Sequence, residues 1–463
     1  MSTYTAIKSS VISAGLKSAL PLIAKLSTEQ LLRLVPRIPV RRDGQREETL
    51  RDAIRDDAVI LNLLRKIATT SQSPAQIAER IRVYVVNPFV LGNKARREAR
   101  KLYGFDGLSS ISITPTVICN LHCDLCYATP EIHYDPKKVL PVEVMDRVMR
   151  EAKELGAYRT TFVGGEPLIR WTDIRELARI HSDVLLSVFT NGLLVTDKVA
   201  AELAALGNVE LVFSIDGLEE TNDRSRGEGT FRKILAAMAR FRDAGGLVVY
   251  APTVTSENYR EILSDEFIDL MLSMGCYMGY YHHYDMIGGQ TRSELLLNID
   301  QLQWMDRRIT ELAATKPISI IDSVLARLLK GGCHSVREFV HVNHHGQVEP
   351  CCMVPFAADS VYEKPLVDIL RSKFMGRLMA IEKDSHGVKR CLVGDNTHVL
   401  QAAVDEGIAV GTTRASNDLF EMPEPPEGLL FPTCFSSEMP AKDTTSSRPR
   451  PRPRKVSLPV LRS

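Results

Sequence analysis

The stretch Cys119-Asn120-Leu121-His122-Cys123-Asp124-Leu125-Cys126 sets three cysteines at a C-x3-C-x2-C spacing. Three thiolates can hold three corners of a cubane [4Fe–4S] cluster, because the iron of such clusters is bound by thiolates. A fourth cysteine does not follow within the loop, so one iron would keep no protein ligand. An open iron can bind a small molecule, which predicts a cluster that acts as a reagent as well as an electron store.

Two other interpretations fit three spaced cysteines, namely a zinc knuckle and a set of structural thiols. Zinc takes four ligands, usually as two paired cysteine or histidine units. A second unit does not lie nearby in the sequence, and His122 adjoins Cys123 instead of forming a spaced pair. The spacing alone leaves these alternatives open, so the surrounding sequence has to decide between them.

Three further motifs follow in order, each at the end of an apolar, strand-like run. They are Gly164-Gly165-Glu166-Pro167, Phe189-Thr190-Asn191-Gly192 and Phe213-Ser214-Ile215-Asp216-Gly217. Together with the cysteine loop, this set resembles the radical S-adenosylmethionine (SAM) superfamily, and specifically its branch with a C-terminal auxiliary-cluster domain. The resemblance covers about residues 101 to 410.

The composition is that of an ordinary globular protein. The 463 residues are 44% hydrophobic and 25% charged, and the formal net charge is +1, which gives no electrostatic case for nucleic-acid binding. The sequence contains neither an apolar run of 18 residues nor the features of a signal peptide. Nine cysteines without an export signal predict a reducing, cytoplasmic location, where clustered cysteines are more often metal ligands than disulfides.

Strand-like and helix-like runs alternate from residue 110. The strand-like runs are 110–114, 160–163, 185–190, 209–215, 247–254 and 277–284. The helix-like runs are 141–155, 172–180, 197–205, 230–244, 264–274 and 299–314. Six β/α units predict an α/β fold with a parallel sheet, and the resemblance implies a partial (β/α)6 TIM-type barrel. The reactive end of such barrels is the carboxyl end of the strands, where every motif above is predicted to lie.

Four regions are predicted along the chain. Residues 1–100 form a helical N-terminal region, 101–318 the radical SAM core, 319–415 a SPASM- or twitch-like auxiliary domain, and 416–463 a disordered tail rich in Pro, Ser and Arg. Within the first region, Thr5–Val35 is a basic amphipathic segment. It either contacts a membrane surface peripherally or packs as an ordinary helix on the next domain, and the second interpretation is favoured.

The resemblance implies a SAM site at the barrel mouth. SAM would chelate the open iron of the cluster bound by Cys119, Cys123 and Cys126. The residues that it assigns to SAM are Gly164, Gly165, Glu166, Thr190, Asn191, Ser214, Asp216 and Arg226. Glu166 would face the SAM ammonium, Asp216 the ribose hydroxyls and Arg226 the carboxylate. Leu125 departs from the pattern, because an aromatic residue often precedes the third cysteine.

A second cluster is predicted in the auxiliary domain. Cys333 and Cys351, with Gly346 between them, match the opening C-x(9–15)-G-x4-C of SPASM and twitch domains. The remaining cysteines are too few for the long form, so Cys333, Cys351 and Cys391 would hold one auxiliary [4Fe–4S] cluster. Its fourth position is open or is filled by Cys352 or Cys434. The alternative is a set of unmetallated core cysteines.

The end of the sixth predicted strand is the candidate substrate site. Of its residues, one of His282, His283, Tyr284 or Asp285 is expected to contact substrate, and either histidine could handle a proton. The predicted function is hydrogen abstraction from a small-molecule or lipid-like natural product, with an electron donor such as flavodoxin or ferredoxin. A ribosomal-peptide maturase, and a non-catalytic iron–sulfur carrier or zinc scaffold, are the alternatives.

Overall fold

The computed structural model describes residues 27–40, 48–53, 57–71, 73–128, 139–285, 292–323, 335–384, 397–414, 416–417 and 420. The strands are β1 (Pro39–Val40), β2 (Glu48–Thr49), β3 (Ser110–Ile113), β4 (Arg159–Phe162), β5 (Leu185–Thr190), β6 (Val209–Ser214), β7 (Leu247–Ala251), β8 (Thr253–Val254), β9 (Cys276–His283), β10 (Ser319–Asp322), β11 (Phe339–Val342), β12 (Val348–Glu349), β13 (Phe356–Ala357) and β14 (Val410–Gly411).

The α-helices are α1 (Thr28–Leu32), α2 (Leu50–Ala53), α3 (Ala58–Thr70), α4 (Pro74–Ile81), α5 (Asn93–Tyr103), α6 (Val142–Glu154), α7 (Trp171–Ile180), α8 (Asp197–Leu206), α9 (Glu219–Arg226), α10 (Thr230–Asp243), α11 (Asp265–Ser273), α12 (Ile299–Thr315), α13 (Leu366–Leu370), α14 (Lys373–Asp384) and α15 (Thr397–Asp405). A π-helical segment spans Arg82–Gly92, and 3-10 turns span Pro167–Arg170 and Ser293–Leu295.

One large sheet forms the centre of the molecule. Its strands lie in the order β10-β9-β7-β6-β5-β4-β3-β11-β12, and β8 pairs with β9. Every pairing in this sheet is parallel except that of β11 with β12. The alternating strands and helices therefore form the predicted partial barrel, in which all the parallel strands end at one mouth.

The two faces of the sheet are buried against different parts of the chain. The outer face, which includes Leu186 and Phe213, packs into the main core with the helices that follow the strands. On the concave face, Val249 packs with Leu64 and Ile67 of α3. The N-terminal helices thus pack inside the barrel and leave the carboxyl ends of the strands for the motifs.

Polar contacts fix this N-terminal packing. The Arg80 guanidinium donates to the carbonyl of Gly245 at 2.7 Å, and the Asn62 amide donates to the Ser319 hydroxyl at 3.0 Å. Gly245 precedes β7 and Ser319 begins β10, so both anchors lie at the starts of strands. The N-terminal helices α3 and α4, called here the helical plug, therefore lie at the end of the barrel opposite the motifs.

The predicted amphipathic segment Thr5–Val35 is described only from residue 27. Leu31, Leu32 and Val35 are buried in the same cluster as the plug, which agrees with the packed-helix interpretation for this part. The short antiparallel pair β1–β2 was not expected in a helical region. Within the described ranges, no helix is both long and apolar enough to cross a membrane.

A β-hairpin begins at residue 339. β11 and β12 pair antiparallel, and Gly346 supplies the turn with a φ of 76°, a conformation that favours glycine. β11 also pairs in parallel with β3, so the hairpin extends the barrel sheet beyond its first strand. Because β10 is paired with β9 as well, the sheet continues past the domain boundary predicted at residue 319.

Candidate active site

The cysteine loop follows β3 and lies at the barrel mouth. Cys119, Cys123 and Cys126 form no disulfide within the described residues, and each is partly buried. Burial is the main cause that raises the pKa of Cys123, to about 11, and the nearby thiols of Cys126 and Cys119 raise it further. A backbone amide, that of Leu121, donates to the Cys119 sulfur at 3.4 Å. Within the described residues, no three His, Cys, Asp or Glu side chains are placed to share a single metal ion. The three thiols interact electrostatically, and Cys119 also accepts an N–H···S contact, which fits ligands spread over the corners of a cluster that would replace their protons with iron.

The glycine motif closes directly against the cysteine loop. The Gly165 and Glu166 amides donate to the carbonyls of Thr116 and Ile118 at 3.0 and 2.8 Å. A Cβ atom on Gly165 would lie 2.2 Å from the Ile118 carbonyl oxygen, and Gly164 has a φ of 121°. Both positions therefore require glycine, and the motif holds the start of the cysteine loop in place.

The Glu166 carboxylate is buried and accepts three hydrogen bonds. Its donors are the Leu168 amide at 2.9 Å, the Thr190 hydroxyl at 2.8 Å and the Asn191 amide at 2.7 Å. Burial raises the pKa of the Glu166 carboxyl to about 7, although these donors oppose the change. Glu166 thus joins the ends of β4 and β5, a structural contact that the sequence did not predict.

Asn191 connects this carboxylate to the cysteine loop. Its side-chain amide lies 2.7 Å from the Asn120 Oδ1 and 3.8 Å from the Cys119 sulfur. The three motifs after β3, β4 and β5 are therefore in direct contact through Glu166 and Asn191. Hydrogen bonds to cluster sulfurs are one way in which a protein adjusts a cluster's reduction potential.

A second corner of the site is built on Asp216, after β6. Its carboxylate lies 2.8 Å from the Arg226 guanidinium and accepts from the Ser225 hydroxyl at 2.9 Å and the Thr253 amide at 2.8 Å. The Ser225 carbonyl accepts from the Asp124 amide of the cysteine loop at 2.9 Å. Arg226 also lowers the pKa of the Cys123 thiol, although burial outweighs it. Asp216 and Arg226 are paired with each other in this structure.

A family model described as the radical SAM superfamily matches residues 113–265, which contain all these motifs. Residues 113–265 form a radical SAM domain. The sporulation killing factor maturation protein SkfB of Bacillus subtilis is 32% identical over 157 residues, which are 33% of this chain and 37% of SkfB. The AdoMet-dependent heme synthase of Methanosarcina barkeri is 28% identical over 284 residues, which are 55% of this chain and 79% of that enzyme.

Solved structures show the same fold. The crystal structure of Streptococcus suis SuiB bound to S-adenosylmethionine has a TM-score of 0.52 at 16% identity, and the match covers 72% of this chain and 84% of SuiB. The prediction of a partial (β/α) barrel is thereby confirmed. The match to SkfB spans little more than a third of that relative's length, 37%. The radical SAM match over residues 113–265 implies SAM and a [4Fe–4S] cluster as cofactors.

In this radical SAM protein, the four candidate residues after the sixth strand have different surroundings. His282 is exposed, and its ring lies 5.7 Å from that of Phe189 on the concave face. His283 is buried on the opposite face, where its Nε2 lies 2.8 Å from Asp322. Alternation along β9 separates the two histidines in this way, so a structural role fits His283 and the mouth-facing position fits His282.

Tyr284 and Asp285 follow the strand and are buried. The Tyr284 hydroxyl accepts from the Arg292 amide at 3.2 Å, and the Arg292 guanidinium lies 2.7 Å from Asp124 in the cysteine loop. Tyr284 also packs in a small apolar cluster with Leu125, the residue that departs from the family pattern. The end of β9 therefore reaches the cysteine loop. Ser214 ends β6 and is partly buried.

The auxiliary site lies mainly outside the described residues, which exclude Cys333, Cys391 and Cys434. Cys351 and Cys352 are described; both are partly buried, and neither forms a disulfide within the described residues. Burial raises the pKa of the Cys352 thiol to about 12, and its side chain shares a hydrogen bond with Tyr127, next to Cys126. The hairpin that carries Cys351 thus contacts the loop of the first cluster.

A small cavity separates the cysteine loop from this hairpin. Its volume is about 70 Å³, and its walls include Gly164, Tyr127, Cys352 and Glu349. His341 also lines the cavity. It is buried between the hydroxyls of Ser112 at 2.7 Å and Thr114 at 3.1 Å, and burial lowers its pKa to about 3. A neutral His341 therefore fixes β11 against β3 and sets the distance between hairpin and loop.

The buried Glu166 carboxyl predicts a pH dependence of stability. Because its pKa in the folded protein, about 7, lies above the ordinary 4.5, the folded state binds this proton more tightly than the unfolded state. The stability from this group is fully present below the unfolded pKa and is lost as the pH rises through about 7. We expect a loss on the order of 3 kcal/mol in the free energy of unfolding of the cofactor-free protein.

Urea unfolding of the wild type and of Glu166→Gln, between about pH 5 and pH 8, measures this effect. The variant should lack the fall that the wild type shows, since glutamine does not titrate. Other titrating groups, among them His341, are common to both proteins and cancel in the comparison. Parallel pH profiles of the two proteins would contradict a raised pKa for Glu166.

Proposed function

We propose that the protein is a radical SAM enzyme that binds a [4Fe–4S] cluster through Cys119, Cys123 and Cys126 and cleaves SAM reductively. When bound, the cluster supplies the electron for this cleavage, and the resulting 5′-deoxyadenosyl radical removes a hydrogen atom from the substrate. The observation that carries the proposal is the contact of Asn191 with both the Glu166 carboxylate and the Cys119 sulfur. This contact joins the proposed SAM motifs to the proposed cluster ligands.

The protein's own residues would bind and orient SAM. Gly164 and Gly165 lie against the backbone carbonyls of Thr116 and Ile118, just before the first cysteine of the loop. Backbone carbonyls in this region can accept hydrogen bonds from the SAM ammonium group.

Arg226, paired with Asp216, supplies the positive charge for a carboxylate. Glu166 is buried among three donors, so its proposed part is to hold the ends of β4 and β5 beside the cysteine loop. Since Asp216 already pairs with Arg226, we infer that Asp216 orients the guanidinium for this contact.

The proposed substrate is a small-molecule or lipid-like natural product. The N-terminal helices are packed into the barrel through contacts such as that of Arg80 with Gly245, which favours a structural role for them over the recruitment of a peptide leader. A ribosomal-peptide maturase is the second candidate, because the relative SkfB is named as a maturation protein. An electron donor such as flavodoxin or ferredoxin would reduce the cluster in either case.

Anaerobic reconstitution with iron and sulfide, followed by SAM and a chemical reductant, tests the proposed chemistry. We expect 5′-deoxyadenosine to accumulate slowly without substrate and to be detected by liquid chromatography with mass spectrometry. A fully reconstituted protein that forms no 5′-deoxyadenosine under these conditions would refute the proposal. That result would instead favour a non-catalytic iron–sulfur electron carrier.

A second cluster is proposed at Cys333, Cys351 and Cys391. Two cubanes would bring the iron content of the reconstituted protein to about eight per chain. We expect Cys351→Ala to lose about half of that iron, because each cubane holds about four. Cys276→Ala is the matched control, since Cys276 is buried in the barrel core and should not bind iron.

Cys352→Ala completes this series. If Cys352 is the fourth ligand of the auxiliary cluster, Cys352→Ala should lower the iron content of the protein. If the fourth position is open or is filled by Cys434, the iron content should not change. A wild-type content that saturates near four irons, unchanged by Cys351→Ala, would remove the auxiliary cluster from the proposal.

A further inference from the structure

Three aromatic rings lie together on the concave face of the barrel. The ring centroids of Phe189 and Tyr280 are 6.3 Å apart, those of Phe189 and His282 are 5.7 Å apart, and those of Tyr280 and His282 are 6.3 Å apart. Phe189 and Tyr280 are partly exposed and His282 is exposed. These three side chains, called here the aromatic cradle, come from β5 and β9, which are separated in the sheet by β6 and β7.

The cradle lies between the two corners of the proposed SAM site. Phe189 directly precedes Thr190, whose hydroxyl donates to Glu166 at 2.8 Å. His282 is paired in register with Thr253, whose amide donates to Asp216 at 2.8 Å. A group resting on the three rings would therefore lie beside SAM bound at these corners, where the hydrogen abstraction has to occur.

Polar contacts beneath the rings hold Tyr280 in place. The Arg159 guanidinium donates to the Tyr280 hydroxyl and lies 5.5 Å from the centroid of its ring. Glu210 neutralises Arg159 at 2.8 Å and accepts from the Tyr277 hydroxyl at 2.8 Å. The polar end of Tyr280 is thus occupied below the cradle. Phe189 and Tyr280 also pack against the N-terminal apolar cluster, so only the remaining exposed part of their rings, together with His282, offers an apolar surface. A surface fixed in this way loses little conformational entropy when a ligand binds.

We propose that the aromatic cradle of Phe189, Tyr280 and His282 binds a planar aromatic group of the substrate. Offset or edge-to-face contacts with such a group favour it over a saturated ring of the same size, and each ring contact corresponds to roughly a threefold to tenfold gain in affinity. Because Arg159 is paired with Glu210, the cradle selects by shape and ring character instead of by charge. The inference rests on the proposed function, because that function places the substrate beside SAM at the barrel mouth. Binding to the cradle can nevertheless be measured without catalytic turnover.

Two matched probes test the cradle: 4-(trifluoromethyl)phenol and 4-(trifluoromethyl)cyclohexanol. Each is equilibrated by dialysis against the reconstituted protein with SAM, and the fluorine signal of the dialysed solutions gives the bound fraction. We expect the aromatic probe to bind at least about fivefold more tightly than the saturated one. Equal affinity of the two probes would overturn the proposal, as would preferential binding of the saturated ring, which would indicate a nonspecific apolar site.

Variants locate the binding. Phe189→Leu keeps an apolar side chain but removes a ring, and His282→Leu replaces a polar ring with an apolar chain. Each should weaken binding of the aromatic probe by about fivefold and change binding of the saturated probe little. Tyr362→Leu is the control, because Tyr362 is an exposed tyrosine outside the barrel mouth, with 53% of its surface accessible. Thermal melting identifies a cradle variant that fails to fold. The result for the cradle variant that does fold then tests the proposal. Unchanged aromatic binding in a folded cradle variant would contradict the proposal.

Parallel measurement of 5′-deoxyadenosine separates this inference from the proposed function. A wild-type protein that cleaves SAM but does not distinguish the probes would overturn the cradle alone. A protein that prefers the aromatic probe, with the loss in both variants, but forms no 5′-deoxyadenosine would support the cradle and overturn the proposed chemistry.

Discussion

Replacing Cys119, Cys123 and Cys126 together with alanine is expected to abolish 5′-deoxyadenosine formation. The three thiols are the proposed protein ligands of the SAM-binding cluster, and their loss leaves no thiolate in the loop to hold its iron. The fold should survive, because the thiols are only partly buried and the loop is also held by the amides of Gly165 and Glu166. Iron at the auxiliary site should remain, at about half of the wild-type content.

Cys276→Ala is again the matched control for the triple variant. Its thiol is buried in the core, away from the loop, so this variant should keep both its iron and its SAM cleavage. A folded triple variant that still forms 5′-deoxyadenosine would show that the cluster is held elsewhere.

Arg159→Met is expected to lower the free energy of unfolding by about 3 kcal/mol. The substitution leaves the Glu210 carboxylate, whose side chain is 1% exposed, without the guanidinium that lies 2.8 Å away. Breaking a buried pair by removing one partner costs more than removing both, because the remaining charge stays buried. Adding Glu210→Met to Arg159→Met should therefore recover part of the lost stability.

Urea unfolding of the single and double variants measures this difference. Arg179→Met is the control, since Arg179 and Glu176 form an exposed pair with side chains 69% and 43% accessible, and the free energy of unfolding should hardly change. Two results would contradict the prediction that Arg159 compensates a buried Glu210 carboxylate. One is an Arg159→Met variant as stable as the wild type, and the other is a double variant less stable than the single one.

The course of the barrel could be predicted from sequence to within a few residues. The predicted strand 185–190 is β5 with the same bounds, and the predicted helix 299–314 is α12, Ile299–Thr315. Buried parallel strands are almost continuously apolar and helices between them are amphipathic, so the two patterns differ clearly. The turn at Gly346 could also be predicted, because its left-handed conformation favours glycine.

The partners of charged residues could not be predicted in the same way. Arg226 and Asp216 were both expected to face SAM, whereas the structure pairs them with each other at 2.8 Å. Likewise, the sequence places Arg159 in one strand and Glu210 in another, and only the strand register shows that both lie on the concave face. In the sequence, the only indication of the contact between Arg159 and Glu210 was the presence of a charged residue in each of two predicted strands.

The addition of β11 to β3 also could not be predicted, because no local pattern specifies pairing between strands more than two hundred residues apart. That pairing brings Cys352 and Tyr127 together and encloses the cavity between hairpin and loop. The roles of His282 and His283 became distinguishable for a related reason. Alternation assigns them to opposite faces, but the contact of His283 with Asp322 comes from β10, which was not predicted as a strand of the barrel.

The most direct test of the central claim is electron paramagnetic resonance of the reduced, anaerobically reconstituted protein with and without SAM. If Cys119, Cys123 and Cys126 hold a cluster with an open iron, addition of SAM should change the spectrum of the wild type, because SAM becomes a ligand of that iron. The triple alanine variant should show only the auxiliary signal, which SAM should not change. A wild-type spectrum that is identical with and without SAM would contradict the account.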